Sequence, residues 1–360
     1  MKPFKILLAL VFGLTISYAN NTEFKEHEKS KLIEREFSVN KDATLYISNK
    51  YGNLYISSWD QNKIEIKVKI IVRGSNLSNV NTKLNSISVD FKADKNLVQA
   101  ITNIKNIKSS LPWWKFGNSA SFKINYHVKM PISNHADFNN KYGNIEIDVL
   151  KGKANIRCDY GKIYIDQLLN TQNYIDINYS NYSEINLIEA GKILTDYSSL
   201  DIEKSKNLTV NANYSNIKIN IIKTLNYIGD YGDININSGV SITGNSDYSG
   251  IKIDTLHKNL TLNTDYGGIS IKNLVRNFEK VSINSSYTDI KLETPSSNNF
   301  AFTTSLKYAS FSYPKEKVEI FKSTAKSAKK YYEGIFGNTK NQSTLHIKLS
   351  YGRISLNLSD

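Results

Sequence analysis

The sequence predicts an all-β chain folded as a parallel β-solenoid, and three observations indicate this fold. A hexad of the form Tyr-(Gly/Ser)-x-Ile-x-Ile recurs along the chain. Between Tyr197 and Tyr266 successive copies are 17, 17, 17 and 18 residues apart, the regularity expected when each repeat forms one coil of a stack. Between the tyrosines, apolar and polar residues alternate in two short runs, as in strands with one buried face. Each coil should therefore supply two strands and a corner.

Stacking these coils in register places equivalent residues roughly 4.8 Å apart. Ile217, Ile234, Ile251 and Ile269 occupy equivalent positions and should line up inside the solenoid. We expect right-handed coiling, because parallel crossover connections strongly favour that hand.

The hexad tyrosines are predicted to form a structural ladder, in which each pair of neighbouring rings adds roughly 0.5–1.5 kcal/mol. An exposed track for glycans is the alternative. Glycines that directly follow a tyrosine suggest a corner with a positive backbone φ. The predicted ladder comprises Tyr142, Tyr160, Tyr182, Tyr197, Tyr214, Tyr231, Tyr248, Tyr266 and Tyr287, with further copies of the hexad at Tyr51, Tyr308 and Tyr351.

The N-terminus carries the features of a secretory signal peptide. Lys2 and Lys5 precede the apolar run 6–16, and residues 17–19 provide a small-x-small cleavage site. We therefore expect a leader at residues 1–19, and a mature protein in the periplasm, at the cell surface or outside the cell. The sequence of the mature chain contains no apolar run of transmembrane length.

The solenoid is predicted to begin after a polar segment at residues 20–36. Residues 37–131 should form the first coil, at the Tyr51 hexad, together with an antiparallel strand insertion over residues 61–131 that covers this coil. A cap is expected because a solenoid end exposes unpaired backbone. The insertion contains Trp113, Trp114 and Phe116 on a loop. These rings are candidates for stacking on sugars or entering a membrane interface, or they fold back to plug the solenoid end.

Regular repeats should occupy residues 132–313, followed by an insertion and a C-terminal capping coil at residues 314–360. Residues 322–332 of that insertion favour a short helix. Its lysines, notably Lys326, Lys329 and Lys330, form a candidate basic contact patch, with a solvated face as the alternative.

The chain is basic, with a formal net charge of +13. This falls to +11 without the leader, which carries two lysines and no acid. A basic surface attracts anionic polysaccharide, lipopolysaccharide or nucleic acid, although no specific nucleic-acid motif is present. The alternative is a general lysine and asparagine bias. The oligomeric state is left open.

Acidic residues before the tyrosines form a column at Asp159, Asp196, Asp230, Asp247 and Asp265, with Asn213 among them. Their main predicted role is hydrogen bonding to the local turn, with calcium binding or glycosidase-type catalysis as alternatives. Cys158 is predicted to be a filler in a column that accepts only small side chains. The sequence lacks metal-ligand spacing, a nucleophile elbow and a phosphate-binding loop, so we predict no enzyme activity and no cofactor, calcium excepted.

Several motifs together resemble the bacterial putative adhesin family of secreted β-solenoids, related to head-GIN-type putative autotransporter adhesins. This resemblance implies a β-helical fold and a surface or adhesive role in the cell envelope. Alternatives are a carbohydrate-active β-helix lyase or hydrolase and a periplasmic accessory of envelope-stress signalling. The motifs are Asn49-Lys50-Tyr51-Gly52-Asn53-Leu54, Ser58-Trp59-Asp60, the strand ending at Met130-Pro131 and the serial Tyr-Gly-Asn/Asp-Ile copies.

Overall fold

The computed structural model describes residues 26–105, 120–338 and 342–359. Over these residues the chain is all-β apart from one short helix, and its strands form one large, mostly parallel sheet that does not close. No helix in the described ranges is long and apolar enough to cross a bilayer. The predicted leader at residues 1–19 and the loop with Trp113, Trp114 and Phe116 lie outside the described residues.

The elements follow one another along the chain with short connections. They are β1 (His27–Ser38), β2 (Thr44–Lys50), β3 (Leu54–Trp59), β4 (Lys63–Gly74), α1 (Leu77–Asn85), β5 (Ile87–Ala93), β6 (Leu97–Ile104), β7 (Ser121–Pro131), β8 (His135–Lys141), β9 (Ile145–Leu150), β10 (Ala154–Asp159), β11 (Ile163–Leu168), β12 (Asn173–Asn178), β13 (Ser183–Asp196), β14 (Ser199–Asn213), β15 (Asn216–Asp230), β16 (Ile234–Asp247), β17 (Gly250–Asp265), β18 (Gly268–Leu274), β19 (Lys280–Pro295), β20 (Phe300–Ser312), β21 (Val318–Lys326), β22 (Lys329–Phe336) and β23 (Thr344–Ser359).

Consecutive coils pair in parallel and in register. Ile217 pairs with Ile234, Ile234 with Ile251, and Ile251 with Ile269, and all four side chains are at most 2% exposed. The predicted interior row is therefore present. β-branched side chains suit this pleated, half-buried surface, and burying each one contributes roughly 1.5–3 kcal/mol.

The N-terminal end differs from the predicted antiparallel insertion. β6 and β7 pair in parallel with β2 and β3, so they add a layer to the first coil on the side away from β8 and β9. Only β4, β5 and β1 are antiparallel: β4 pairs with β7, β5 with β6, and β1 with β4. β1 thus forms where the sequence indicated a polar segment, because its backbone completes the edge of β4.

The C-terminal end contains an inverted strand order. β23 lies between β19 and β20 and pairs in parallel with both. β22 then pairs antiparallel with the far edge of β20, and β21 with β22. The helix predicted over residues 322–332 is wrong. These residues form a hairpin that turns at Ser327, where φ is +53°, and its backbone pairs with the edge that β20 offers.

Candidate functional site

Twelve tyrosines stack in one continuous column at the corner between the two strand rows. Neighbouring ring centroids are 4.7–5.3 Å apart, and adjacent ring planes lie within 20° of parallel. We call this column the tyrosine ladder. In spatial order its members are Tyr51, Tyr142, Tyr160, Tyr179, Tyr197, Tyr214, Tyr231, Tyr248, Tyr266, Tyr287, Tyr351 and Tyr308.

Tyr182, which the hexad pattern placed in the ladder, lies outside it, and Tyr179 takes its position. Tyr182 instead approaches Tyr164, with ring centroids 6.5 Å apart, and donates a hydrogen bond to Glu184. Strand pairing explains the difference: Ser183 pairs with Leu200, so the corner of this coil contains one extra residue. The more even 19-residue step from Tyr160 to Tyr179 was the available signal.

Every ladder tyrosine has a left-handed backbone, with φ between +48° and +64°. The prediction that the following glycines carry the positive φ is wrong. These glycines are needed for space. A Cβ at Gly143 would lie 2.0 Å from the carbonyl oxygen of Gly52, and one at Gly267 would lie 2.1 Å from that of Ser249. In other coils a buried serine occupies this position and bonds the neighbouring backbone, as Ser198 does.

The ladder presents ring edges and hydroxyl groups, not ring faces. From Tyr142 to Tyr351 each ring is covered on both sides by its neighbours. The ladder tyrosines remain 38–59% exposed. A sugar ring therefore finds no open face along this stretch, and the geometry favours the structural interpretation over the glycan track.

The aspartates before the ladder tyrosines bind the backbone of the next coil, not their own turn as predicted. Asp230 Oδ1 accepts from the backbone N–H of Asp247 at 2.9 Å, and Asp247 Oδ1 accepts from that of Asp265 at 3.2 Å. In the part of the chain that the structure describes, no three His, Cys, Asp or Glu side chains are placed to hold a metal ion. The carboxylates thus tie coils together.

Cys158 is fully buried, and its thiol lies 3.5 Å from the carbonyl oxygen of Gly143. Burial raises the pKa of this thiol to about 12, with a smaller effect of the Asp159 carboxylate. The expected restriction of its column to small side chains is wrong, because Asn140 and Ile177 pair with Cys158 on either side. A neutral, buried thiol is a poor nucleophile.

The predicted basic patch forms a defined cleft. Lys326, Lys329 and Lys330 of the β21–β22 hairpin line a cavity of about 550 Å³ together with Lys307 of β20 and Lys348 of β23. We call these five residues the lysine cleft. All five side chains are exposed, and the rest of the lining is mainly serine, threonine and asparagine, without an aspartate or glutamate. The ion pairs printed for the described residues involve other lysines.

Lys307 and Lys348 were missed by sequence reasoning. They lie on different strands, and the insertion of β23 beside β20 brings them together: Lys307 pairs with Lys329 across one edge of β20 and with Ser350 across the other. No sequence motif encodes this strand order.

Comparison with known proteins gives structural neighbours only. No family model matches the chain, and no curated protein matches it. A putative adhesin from Bacteroides fragilis is 17% identical, with a TM-score of 0.35, covering 68% of this chain and 97% of its own. A putative adhesin from Parabacteroides distasonis is 11% identical, with a TM-score of 0.31, covering 91% and 97%.

A putative cell adhesion protein from Clostridium sporogenes is 11% identical, with a TM-score of 0.20, covering 93% of this chain and 100% of its own. All three are bacterial proteins described by an adhesive role, which agrees with the family resemblance of the motifs.

Proposed function

We propose that the chain is an exported, non-enzymatic adhesin of the bacterial cell envelope, built as a right-handed β-solenoid, and that it binds an anionic polysaccharide in the lysine cleft. The lysine cleft is the observation that carries this proposal. Export follows from the leader-like residues 1–19. The role in adhesion is proposed for this chain on its own surface features.

Electrostatics favours a polyanion in the cleft. Five ammonium groups lie around one cavity whose lining contains no carboxylate. A concave surface of one charge sign raises the local concentration of oppositely charged ligands. A repeating chain of carboxylate or sulfate groups can contact several lysines at once, and the flexible side chains adapt to its spacing.

Charge reversal in the cleft tests the proposal. We expect the triple variant Lys326→Glu, Lys329→Glu, Lys330→Glu to lose at least about tenfold in affinity for sulfated or carboxylated polysaccharides, measured by surface plasmon resonance. The matched control is Lys204→Glu, Lys223→Glu, Lys252→Glu, which changes the net charge equally at exposed lysines outside the cleft. Equal losses in both variants, or depolymerisation of the polysaccharide, would contradict the proposal.

Localisation is tested separately. In fractionated cells the mature protein should begin after residue 19. Protease treatment of intact cells should degrade a surface-exposed protein, whereas resistance until the outer membrane is opened would place it in the periplasm. Retention of residues 1–19 on a cytosolic protein would refute export.

A further inference from the structure

A second cavity, of about 850 Å³, lies near the N-terminal end, on the strand row that follows the ladder corner. This volume is within the range of small-molecule sites. We call it the N-terminal groove. Its main lining residues are Tyr55, His127, Lys129, Glu146, Tyr164 and Glu184.

The groove arises from one outward-facing row in which rings and carboxylates alternate. Tyr55 pairs with Glu146, Glu146 with Tyr164, and Tyr164 with Glu184, so one ring and one acid follow each other at each step of roughly 4.8 Å. Below Tyr55, the His127 ring stacks on it, with centroids 4.7 Å apart and planes 15° from parallel.

The same row has a different composition in the following coils. It continues with Asp201, Lys218, Asn235 and Lys252, without an aromatic ring. The groove is thus a local departure from the repeat. Unlike the ladder rings, Tyr164 has carboxylate side chains as its neighbours in the row, and flexible side chains can move aside from a ring face.

The polar groups of the groove are mixed in charge. Asp148 and Asp166 lie beside Glu146 and Glu184, while Lys67 and Lys129 lie on the opposite side. A polyanion would meet the carboxylates, and a polycation would meet the lysines. A neutral ligand with many hydroxyl groups can use both the acceptors and the donors.

Several of these groups are already fixed by hydrogen bonds. Asp148 accepts from the backbone N–H of Ser58 at 2.9 and 3.0 Å through its two oxygens. Asn186 donates to Asp166 at 3.1 Å. Polar groups held in place before binding lower the entropic cost of ligand capture.

We infer that the N-terminal groove binds a neutral oligosaccharide, whose apolar ring face packs on Tyr164 and whose hydroxyl groups bond to Glu146, Glu184 and Lys129. This site is separate from the lysine cleft and does not depend on it.

The test measures binding of the full mature chain to neutral hexasaccharides of glucose, galactose, mannose or N-acetylglucosamine by isothermal titration calorimetry. At least one should bind. Tyr164→Ala should weaken that binding roughly three- to tenfold, and so should Glu184→Gln, which preserves side-chain shape. Anionic polysaccharide binding should stay unchanged in both variants.

Tyr174→Ala is the control, because Tyr174 is a half-buried outward tyrosine on the other strand row. It should bind the hexasaccharide as the parent does, with circular dichroism checking the fold of each variant. The inference would be overturned if no hexasaccharide bound at about 1 mM. It would also be overturned if Glu184→Gln had no effect or if Tyr174→Ala caused an equal loss.

Discussion

At the residue scale, the ladder combines an unfavourable backbone with a favourable contact. A left-handed φ costs a non-glycine residue roughly 1–2 kcal/mol. Each stacked ring pair returns roughly 0.5–1.5 kcal/mol. The two effects nearly offset each other at each of the twelve positions, so the ladder fixes the geometry of the corner more than it adds net stability.

This balance predicts an inverted order for two substitutions at Tyr231. Both Tyr231→Ala and Tyr231→Gly lose stacking, but only alanine keeps the strain at φ +58°. We expect the alanine variant to be less stable by about 1 kcal/mol in urea unfolding. At Tyr174, which lies in a strand without positive φ, the alanine variant should be the more stable. The same order at both sites would contradict this account.

Cys158 predicts a contribution to alkaline stability. Its pKa rises from an ordinary 9.0 to about 12 on folding, because the thiolate would be buried. Between these values the unfolded chain has released a proton that the folded chain retains. The contribution is therefore complete below pH 9 and declines above it by about 1.4 kcal/mol per pH unit.

We therefore expect Cys158→Ala to lose less stability than the parent between pH 9 and pH 10.5. Urea unfolding at several pH values measures the difference, which removes the contributions of other groups common to both proteins. Parallel stability curves for the two proteins would show that the thiol does not titrate as its burial requires.

At the element scale, the strand order of the C-terminal end determines which strands depend on each other. β23 pairs on both edges, with β19 and β20, whereas β1 pairs only with β4. Loss of an interior strand removes two sets of backbone hydrogen bonds, and loss of an edge strand removes one.

A chain truncated after residue 342 should therefore lose hydrogen-exchange protection in β20, β21 and β22, while β13 to β16 remain protected. As a control, removal of residues 26–40, which include β1, should leave β7 and β3 protected. Retained protection of β20 in the truncated chain would contradict the interior role of β23.

The elements differ in how far the sequence predicts them. The parallel coils and the row through Ile217 and Ile251 follow from a repeat whose period reports the pairing register directly. The position of β23, the parallel pairing of β6 and the lysine cleft do not, because long-range strand order depends on tertiary contacts that leave no local period. Tyr179 was missed because an extra corner residue shifts the hexad against the strand.

At the scale of the whole molecule, the two ends are finished differently from the middle. Antiparallel β1, β4 and β5 complete the N-terminal end, and the β21–β22 hairpin completes the other. The described helix α1 packs against β1 and β4. Such elements limit edge-to-edge association of the exposed strands.

The stack should depend on its interior in every coil. Ile236 is 2% exposed, whereas Ile228, on the preceding strand, is 53% exposed. We expect Ile236→Ala to lower the free energy of unfolding by roughly 2–5 kcal/mol, and Ile228→Ala to change it by less than about 1 kcal/mol. Calorimetry and urea unfolding measure both. Similar costs at both positions would mean that the row through Ile236 does not form a packed interior.

The location of β23 has a consequence for biosynthesis. Residues 344–359 leave the ribosome after β20, β21 and β22, yet they belong between β19 and β20. The earlier strands must therefore wait unseated, or be displaced when the last segment arrives. For a chain threaded unfolded through an export channel, this arrangement delays completion of the lysine cleft until the polypeptide has been released.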